Sequence, residues 1–190
     1  MNPNFNVYGT TLIVLPEYKS VSRTRSGISL ITADQRCPPP ACINSTIRHT
    51  NMLHYILPKI QANQAKADDA LMLDIDGYVS QTNAASVFMV KKGVVMTPPG
   101  NSITRSTILK LAVEAGIEIV ENRITLDEMM SADEVFTAGT LDELTPVTMI
   151  DGREIGSCGH VMGEVTEQLL KRYQELPERM GFATDMPAFF

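Results

Sequence analysis

The sequence predicts an α+β fold in which short strands outnumber the helices. Three observations indicate this class. Apolar, β-branched runs of strand length recur along the 190 residues. Two such pairs of runs flank Asp76-Gly77 and Asp151-Gly152, dipeptides that favour tight hairpin turns. Helical periodicity occurs in a few interspersed segments, without the strict strand–helix alternation of a doubly wound sheet.

Composition limits the classes of function. Hydrophobic residues make up 44% of the chain, which is enough for a sizeable core. Sixteen basic against 22 acidic residues give a net charge of −6, which does not suit a binder of nucleic acid backbones. No apolar run approaches the roughly 18 residues of a membrane span. With no export signal and an odd count of three cysteines, we expect a reduced, cytoplasmic protein.

Strand patterns are spread over the whole chain. The predicted strands cover 7–15, 28–32, the two runs beside Asp76-Gly77, 87–90, 94–97, 117–124, 134–138, 146–150 and 153–155.

Two segments between strands and helices are predicted to be irregular. A polar stretch from 17 to 27 is typical of a linker, and Cys37-Pro-Pro-Pro-Ala-Cys42 favours an extended surface segment.

Four helices are expected between these strands. Leu53, Ile56, Leu57 and Ile60 form an apolar stripe on the first, although Pro58 inside it costs about 3 kcal/mol or forces a kink. The other three are marked by a start at Ser102 with an end near Gly116, by a capping box at Thr125 and Glu128, and by apolar spacing at Val165, Leu169 and Tyr173.

Two segments have the features of an anion site. Ser102-Ile103-Thr104 stands at a helix start, where free backbone N–H groups and the helix dipole favour a phosphate. Gly139-Thr140 follows a strand and combines a close backbone approach with a hydroxyl. An ordinary helix cap and an ordinary turn are the alternatives, and each segment alone is a weak signal.

Metal binding is not expected. His49, His54 and His160 lack metal-ligand spacing with the cysteines, which are best explained as free thiols. Asp74-Ile-Asp76-Gly77 is faintly similar to a calcium loop, but the later ligands are missing and a hairpin turn explains it.

An ordered set of motifs, spread from about residue 7 to 175, identifies a family. The motifs are Asp74-x-x-Gly77-Tyr-Val, Val87-Phe-Met-Val-Lys-Lys-Gly93, Ile103-Thr-Arg105, Ala132-Asp-Glu-Val-Phe136, Gly139-Thr140 and Glu143-Leu-Thr-Pro146. The set resembles the large domain of class IV aminotransferases, the pyridoxal-phosphate enzymes that include branched-chain and D-amino acid transaminases.

The resemblance implies an architecture and a domain plan. The fold would be a β-rich pseudo-barrel with surrounding helices, which is normally joined to a smaller N-terminal domain and paired in a homodimer. Residues 1–16 would be the remnant last strand of that small domain, 17–27 a linker, 28–176 the large domain and 177–190 a tail.

The resemblance also implies binding residues for pyridoxal phosphate. The backbone amides of Ile103 and Thr104 and the hydroxyl residue Thr140 would contact its phosphate, at the two segments already suspected as anion sites. Gln81 occupies the position of a glutamate that pairs with the pyridine nitrogen. A small amino acid and its 2-oxo acid would be the substrates.

Catalytic positions depart from the family. The lysine that captures the cofactor falls at Thr46, Ile47 or Arg48, and none of these can replace it, since an arginine stays protonated and is a poor nucleophile. Gln81 is neutral where the family has an acid, and Ser86 stands in place of an asparagine.

Several functions remain compatible with these departures. The chain could be an impaired transaminase, or an inactive homologue or fragment that binds phosphate or cofactor. It could also be a non-catalytic partner that forms a homo-oligomer or pairs with a full-length relative.

Overall fold

The computed structural model describes residue 9 and residues 12–17, 26–43, 49–156 and 161–176. Within these ranges the chain forms nine strands and four helices. In chain order they are β1 Ile28–Thr32, α1 Leu53–Gln64, β2 Asp69–Leu73, β3 Val79–Thr82, β4 Ser86–Lys91, β5 Val94–Thr97, α2 Ile103–Glu114, β6 Ile119–Glu121, α3 Leu126–Met130, β7 Glu134–Gly139, β8 Glu143–Ile150, β9 Arg153–Glu154 and α4 Glu164–Gln174.

The strands form one mixed sheet in the order β3-β2-β1-β8-β7-β4-β5-β6, and β9 pairs with the end of β8. Strand β1 lies between β2 and β8 and runs parallel to both. Strands β5 and β6 are also parallel, whereas the other neighbours are antiparallel hairpins or returns. The predicted α+β class is confirmed.

The centre of the sheet is buried on both faces. Along β4, Val87 and Met89 face one hydrophobic cluster, whereas Phe88 and Val90 face another. Phe88 lies opposite Phe136 of β7, and the two rings stack with centroids 4.9 Å apart. Alternation of side chains along a strand explains how one short run supplies both cores.

Helices cover both cores. The short α3 closes the first cluster with Met129, which is fully buried. On the other face, α2 contributes Ile108 and Leu111 and α4 contributes Leu169. The buried residues of α2 and α4 match the predicted apolar periodicity, so the prediction that these two helices bury one face is confirmed.

Helix α1 forms where it was predicted, but its apolar stripe faces solvent. Leu53, Ile56, Leu57 and Ile60 are all exposed, whereas Pro58 and Ala62 are the buried positions of the helix. The buried side packs on β2. The pattern therefore identified the helix but not the face that contacts the sheet.

Local turn chemistry agrees with the sequence. Asp151 and Gly152 both adopt a positive φ in the β8–β9 hairpin, and Gly116 does so just after α2. Thr125 and Glu128 form the complete capping box of α3. The predicted strand over 117–124 is shorter, because only Ile119–Glu121 pairs with β5.

The N-terminal predictions are only partly covered by the described residues. Of the strand predicted over 7–15, residue 9 and residues 12–15 are described; they are exposed and belong to no strand, so the strand prediction is wrong for these residues. The linker at 17–27 and the tail at 177–190 lie mostly or wholly outside the described ranges, so the domain boundaries stay predictions. Among the described helices, none has the length and hydropathy that crossing a bilayer requires.

Candidate functional site

A small cavity of about 40 Å³ lies where three strand ends meet the loop before α2. Its walls come from the end of β3, the start of β4, the end of β5 and the 98–102 loop. The lining is mostly small and polar. It consists of Ser80, Gln81, Ser86, Val87, Thr97, Pro98, Pro99, Gly100, Asn101, Ser102 and Arg105.

The start of α2 offers two backbone donors beside this cavity. Ser102 is the N-cap, and its hydroxyl oxygen accepts from the amide of Arg105 at 3.4 Å. The first turn of the helix closes when the amide of Ser106 donates to the Ser102 carbonyl at 2.9 Å. Among the described residues, the amides of Ile103 and Thr104 have no protein acceptor. They are therefore available to an anion at the positive end of the helix dipole.

Arg105 fixes the loop that leads into this helix. Its side chain is nearly buried, and its Nε donates to the carbonyl of Pro98 and its Nη1 to that of Gly100, each at 3.0 Å. Its Nη2 pairs with Glu121 of β6 at 2.5 Å. Because these groups already occupy the guanidinium, we assign Arg105 to holding the loop and not to binding the ligand.

The second predicted anion segment follows β7, and Ser86 connects it to the cavity. Ser86 lines the cavity and lies opposite Ala138 in the β4–β7 pair. Gly139 comes next, close to Ala85, and Thr140 is the exposed first residue after the strand. Gly139-Thr140 therefore lies beside the rim that Ser86 forms.

Gln81 lines the cavity from β3, and helix α1 packs on the neighbouring strand β2. Its cross-strand partner is Met72, which belongs to the small cluster against which Tyr55 packs. Burial raises the pKa of Tyr55, so this phenol is neutral at physiological pH. The nearby Gln81 side chain lowers the pKa of Tyr55, but this effect is smaller than that of burial.

A thiol lies next to the same wall. Cys37 is half-buried and lies near Ser80, which lines the cavity. Burial raises the pKa of Cys37; the Ser80 side chain lowers it and Asp74 raises it, each by less than burial does. The thiol form is therefore favoured, and Cys37 is a poor nucleophile at neutral pH.

The lysines of the described part of the chain do not line the cavity. Lys59 binds the Asp68 carbonyl and pairs with Asp69, and Lys91 binds the Ser131 carbonyl. Among the described residues, no lysine lines the cavity. The positions predicted for the family lysine, Thr46, Ile47 and Arg48, lie outside the described residues.

Backbone N–H groups and polar side chains therefore lie beside and in the cavity, whereas its described walls supply no primary amine. Gln81 lines the cavity, Ile103 and Thr104 follow its lining residue Ser102, and Thr140 follows strand β7, which pairs with β4 at Ser86. The binding role of these four residues stays a prediction. Sequence reasoning missed Tyr55, and it missed the role of Arg105. An arginine three residues after a helix cap was the available signal for Arg105, whereas no local pattern marks Tyr55.

Comparison with known proteins supports the family resemblance. The family described as amino-transferase class IV matches residues 4–150 of the chain. A similar curated protein is branched-chain-amino-acid aminotransferase-like protein 1 of Arabidopsis thaliana, which is 48% identical over 186 residues. That match covers 95% of this chain but only 33% of the relative.

Solved structures give the same result. The branched-chain aminotransferase of the archaeon Thermoproteus uzoniensis, solved with norvaline, has a TM-score of 0.75 and 30% identity, covering 80% of this chain and 52% of that one. The Thermobaculum terrenum enzyme in its PLP form has a TM-score of 0.77 and 30% identity, covering 83% and 53%. The chain thus spans between a third and about half the length of these relatives.

Proposed function

The chain belongs to the class IV aminotransferases, and from this premise we propose that it binds pyridoxal phosphate without forming a covalent link to it. Such a domain holds the cofactor by its phosphate and its ring nitrogen. It does not carry out amino transfer by itself.

One observation carries this proposal: the two amides at the start of α2 have no acceptor among the described residues, and the residues on either side of them, Ser102 and Arg105, line a polar cavity. Two adjacent N–H groups at the positive end of a twelve-residue helix match the charge and geometry of a phosphate. Thr140 would add a hydroxyl from the neighbouring rim. The residues present therefore fit the phosphate of the cofactor.

The residues at the positions that would make a bound cofactor reactive do not have the required chemistry. When bound, pyridoxal phosphate supplies an aldehyde that captures amines and a ring that withdraws electrons. The neutral amide of Gln81 can hydrogen-bond the ring nitrogen, but it does not stabilise a positive charge there as a carboxylate does. The segment predicted to carry the capturing lysine contains none. Covalent capture and proton transfer each contribute orders of magnitude in rate, so their loss predicts at most trace turnover.

Substrate and assembly follow from membership in the family. We propose a small amino acid and its 2-oxo acid as the ligands that a complete relative of this domain would exchange. We also propose that the chain forms an oligomer with itself or with a longer relative, in the cytoplasm.

The phosphate contact can be tested by removing a single backbone donor. Ile103→Pro deletes the amide at the first helical position, where proline is well tolerated, and Ser102 already has the extended conformation that a following proline requires. Ile103→Ala is the matched control, since it keeps the amide and changes only a side chain that is 90% exposed. We expect Ile103→Pro to weaken pyridoxal phosphate binding about tenfold and Ile103→Ala to leave it unchanged.

Covalent capture is tested on the same samples. Pyridoxal phosphate is titrated by absorbance, the complex is reduced with borohydride, and the peptides are mapped by mass spectrometry. We expect saturable binding, competition by inorganic phosphate, and no adduct at a single site. A stoichiometric adduct at one lysine, or transfer of the amino group to a 2-oxo acid, contradicts the proposal.

A further inference from the structure

The turn between β3 and β4 joins two residues of the cavity wall. Gln81, near the end of β3, and Ser86, at the start of β4, both line the cavity, and residues 82–85 connect them. A shift of this turn would change the distance between the two wall residues. The shape of the turn therefore decides whether Gln81 and Ser86 can contact one ligand together.

A single buried hydroxyl holds this turn. Thr82 is fully buried, and its Oγ1 accepts from the backbone amides of Ala84 and Ala85 at 3.2 and 2.8 Å. The same hydroxyl lies 3.2 Å from the carbonyl oxygen of Ala85, to which it donates, and the Thr82 amide donates to that carbonyl at 2.9 Å. A hydroxyl has one donor and two acceptor positions, so all three are used within the turn.

The turn is also attached to the neighbouring strand β2. The backbone amide of Asn83 donates to the carbonyl of Ala70 at 3.1 Å, and the Asn83 Oδ1 accepts from the Ala70 amide at 2.7 Å. The Asn83 Nδ2 donates to Asp69 at 3.2 Å. Asn83 therefore fixes the turn to the sheet, whereas Thr82 fixes its internal shape.

We propose that Thr82 is a positioning residue, whose hydroxyl holds the 82–85 turn so that Gln81 and Ser86 contact the same bound pyridoxal ring. This inference rests on the proposed function. Thr82 does not line the cavity, so it acts through its neighbours and not by touching the ligand. A valine at position 82 would fill the same space without these bonds, whereas a serine would keep them.

The first test uses the protein without cofactor. Exchange of the backbone amide protons of Ala84 and Ala85 is followed by NMR in wild type, Thr82→Val and Thr82→Ser. We expect Thr82→Val to accelerate this exchange roughly three- to tenfold and Thr82→Ser to leave it close to wild type. Wild-type exchange as fast as in an unstructured peptide overturns the inference, even if Thr82→Val does not fold.

The second test compares pyridoxal phosphate with inorganic phosphate as ligands. Inorganic phosphate needs the free amides of α2, whereas the pyridoxal ring also needs Gln81 and Ser86. We expect Thr82→Val to weaken the binding of pyridoxal phosphate roughly three- to tenfold and to leave the binding of inorganic phosphate unchanged. Thr82→Ser should bind both ligands as wild type does.

Thr166→Val is the matched control for lost stability. Thr166 is also buried, its hydroxyl donates to the Glu134 carboxylate at 2.6 Å, and it does not line the cavity. We expect this variant to be less stable, yet to bind both ligands as wild type does. A merely structural role of Thr82 would weaken both ligands equally in Thr82→Val, and that result overturns the inference.

The outcomes separate the two proposals. If wild type does not bind pyridoxal phosphate, the proposed function fails, and the role of Thr82 toward a ring fails with it. If wild type binds pyridoxal phosphate and Thr82→Val binds it equally well, only the inference about Thr82 fails.

Discussion

The Nη2 atom of Arg105, at the start of helix α2, lies 2.5 Å from the Oε2 atom of Glu121 in strand β6. The arginine side chain is 5% exposed and the glutamate side chain is 50% exposed, so the pair is buried at one end only. The same guanidinium binds two carbonyls of the 98–102 loop. Because that loop precedes the free amides of α2, this ion pair fixes the position of the candidate phosphate site.

Replacement of Arg105 by methionine should destabilise the fold and weaken cofactor binding. The change leaves two loop carbonyls without their donor, and we expect a loss of about 2–4 kcal/mol in the free energy of unfolding. Arg105→Lys should recover little, since one ammonium cannot reach three acceptors spread around a guanidinium. Glu121→Gln should cost below about 1 kcal/mol, because Glu121 is half-exposed. Urea unfolding measures all three variants, and equal losses for Arg105→Met and Glu121→Gln would contradict this account.

Restoring the two family side chains should not restore an efficient enzyme. In the variant Arg48→Lys with Gln81→Glu we expect a cofactor link that borohydride reduction makes permanent, but only trace amino transfer. The reason is that the chain covers only 33% to 53% of the length of the relatives described above. Glutamate formed from 2-oxoglutarate and a branched-chain amino acid measures turnover. Thr46→Lys and Ile47→Lys, each with Gln81→Glu, are the controls for the position of the lysine. Robust transamination by any of these pairs would show that the parts of the relatives outside the matched region matter little for turnover.

The sequence predicts features of this fold that neighbouring residues determine. The hairpin at Asp151-Gly152 needs two residues that tolerate positive φ, and both adopt it. The capping box of α3 is likewise encoded within four residues. Such features depend on backbone sterics and short hydrogen bonds, so they can be predicted without knowledge of the sheet.

Long-range arrangement could not be predicted in the same way. Strand β1 lies between β2 and β8 because Leu30 pairs with both Asp69 and Ile150, and no local pattern encodes those partners. The exposed stripe of α1 has a related cause, since periodicity reports an apolar face but not what covers it. In the site, the helix start at Ile103 is local and was predicted, whereas the approach of Tyr55 to Gln81 joins two segments that are far apart in the chain.

The capping box of α3 should make stability depend on acid pH. The backbone N–H and the hydroxyl of Thr125 both donate to Glu128, and these bonds hold the pKa of Glu128 below its usual value of 4.5. A carboxyl whose pKa is lower in the folded state stabilises the fold above the unfolded pKa, and this contribution is lost as pH falls through the folded pKa. Thr125→Ala should cost about 1 kcal/mol at pH 7.

The measurement is the difference in urea midpoint between wild type and Glu128→Gln as a function of pH. We expect a constant difference at neutral pH that shrinks below pH 4.5, the usual value for the group. Asp127→Asn, in the same turn but outside the capping bonds, is the control. A difference that stays constant down to the lowest pH at which the protein folds would contradict the role of Glu128.

We expect position 163 to require a glycine, because the Glu134 carboxylate occupies the space that a Cβ would need there. Glu134 accepts from the amides of Val165 and Thr166 at 3.1 and 2.9 Å, and so caps the start of α4 from strand β7. A Cβ at position 163 would lie 1.9 Å from the Glu134 Cδ. The φ of Gly163 is −77°, which any residue adopts, so the effect of a substitution comes from this contact alone. We expect Gly163→Ala to displace the carboxylate and to cost about 1–2 kcal/mol, similar to Glu134→Ala.

A double-mutant cycle isolates this contact. If Gly163→Ala acts by displacing the carboxylate, it should have almost no cost in a Glu134→Ala background, where there is no carboxylate to displace. Urea unfolding of wild type, the two single variants and the double variant supplies the four free energies. Additive losses would show that Gly163→Ala acts on the α4 backbone and that Glu134 is not the group that requires a glycine there.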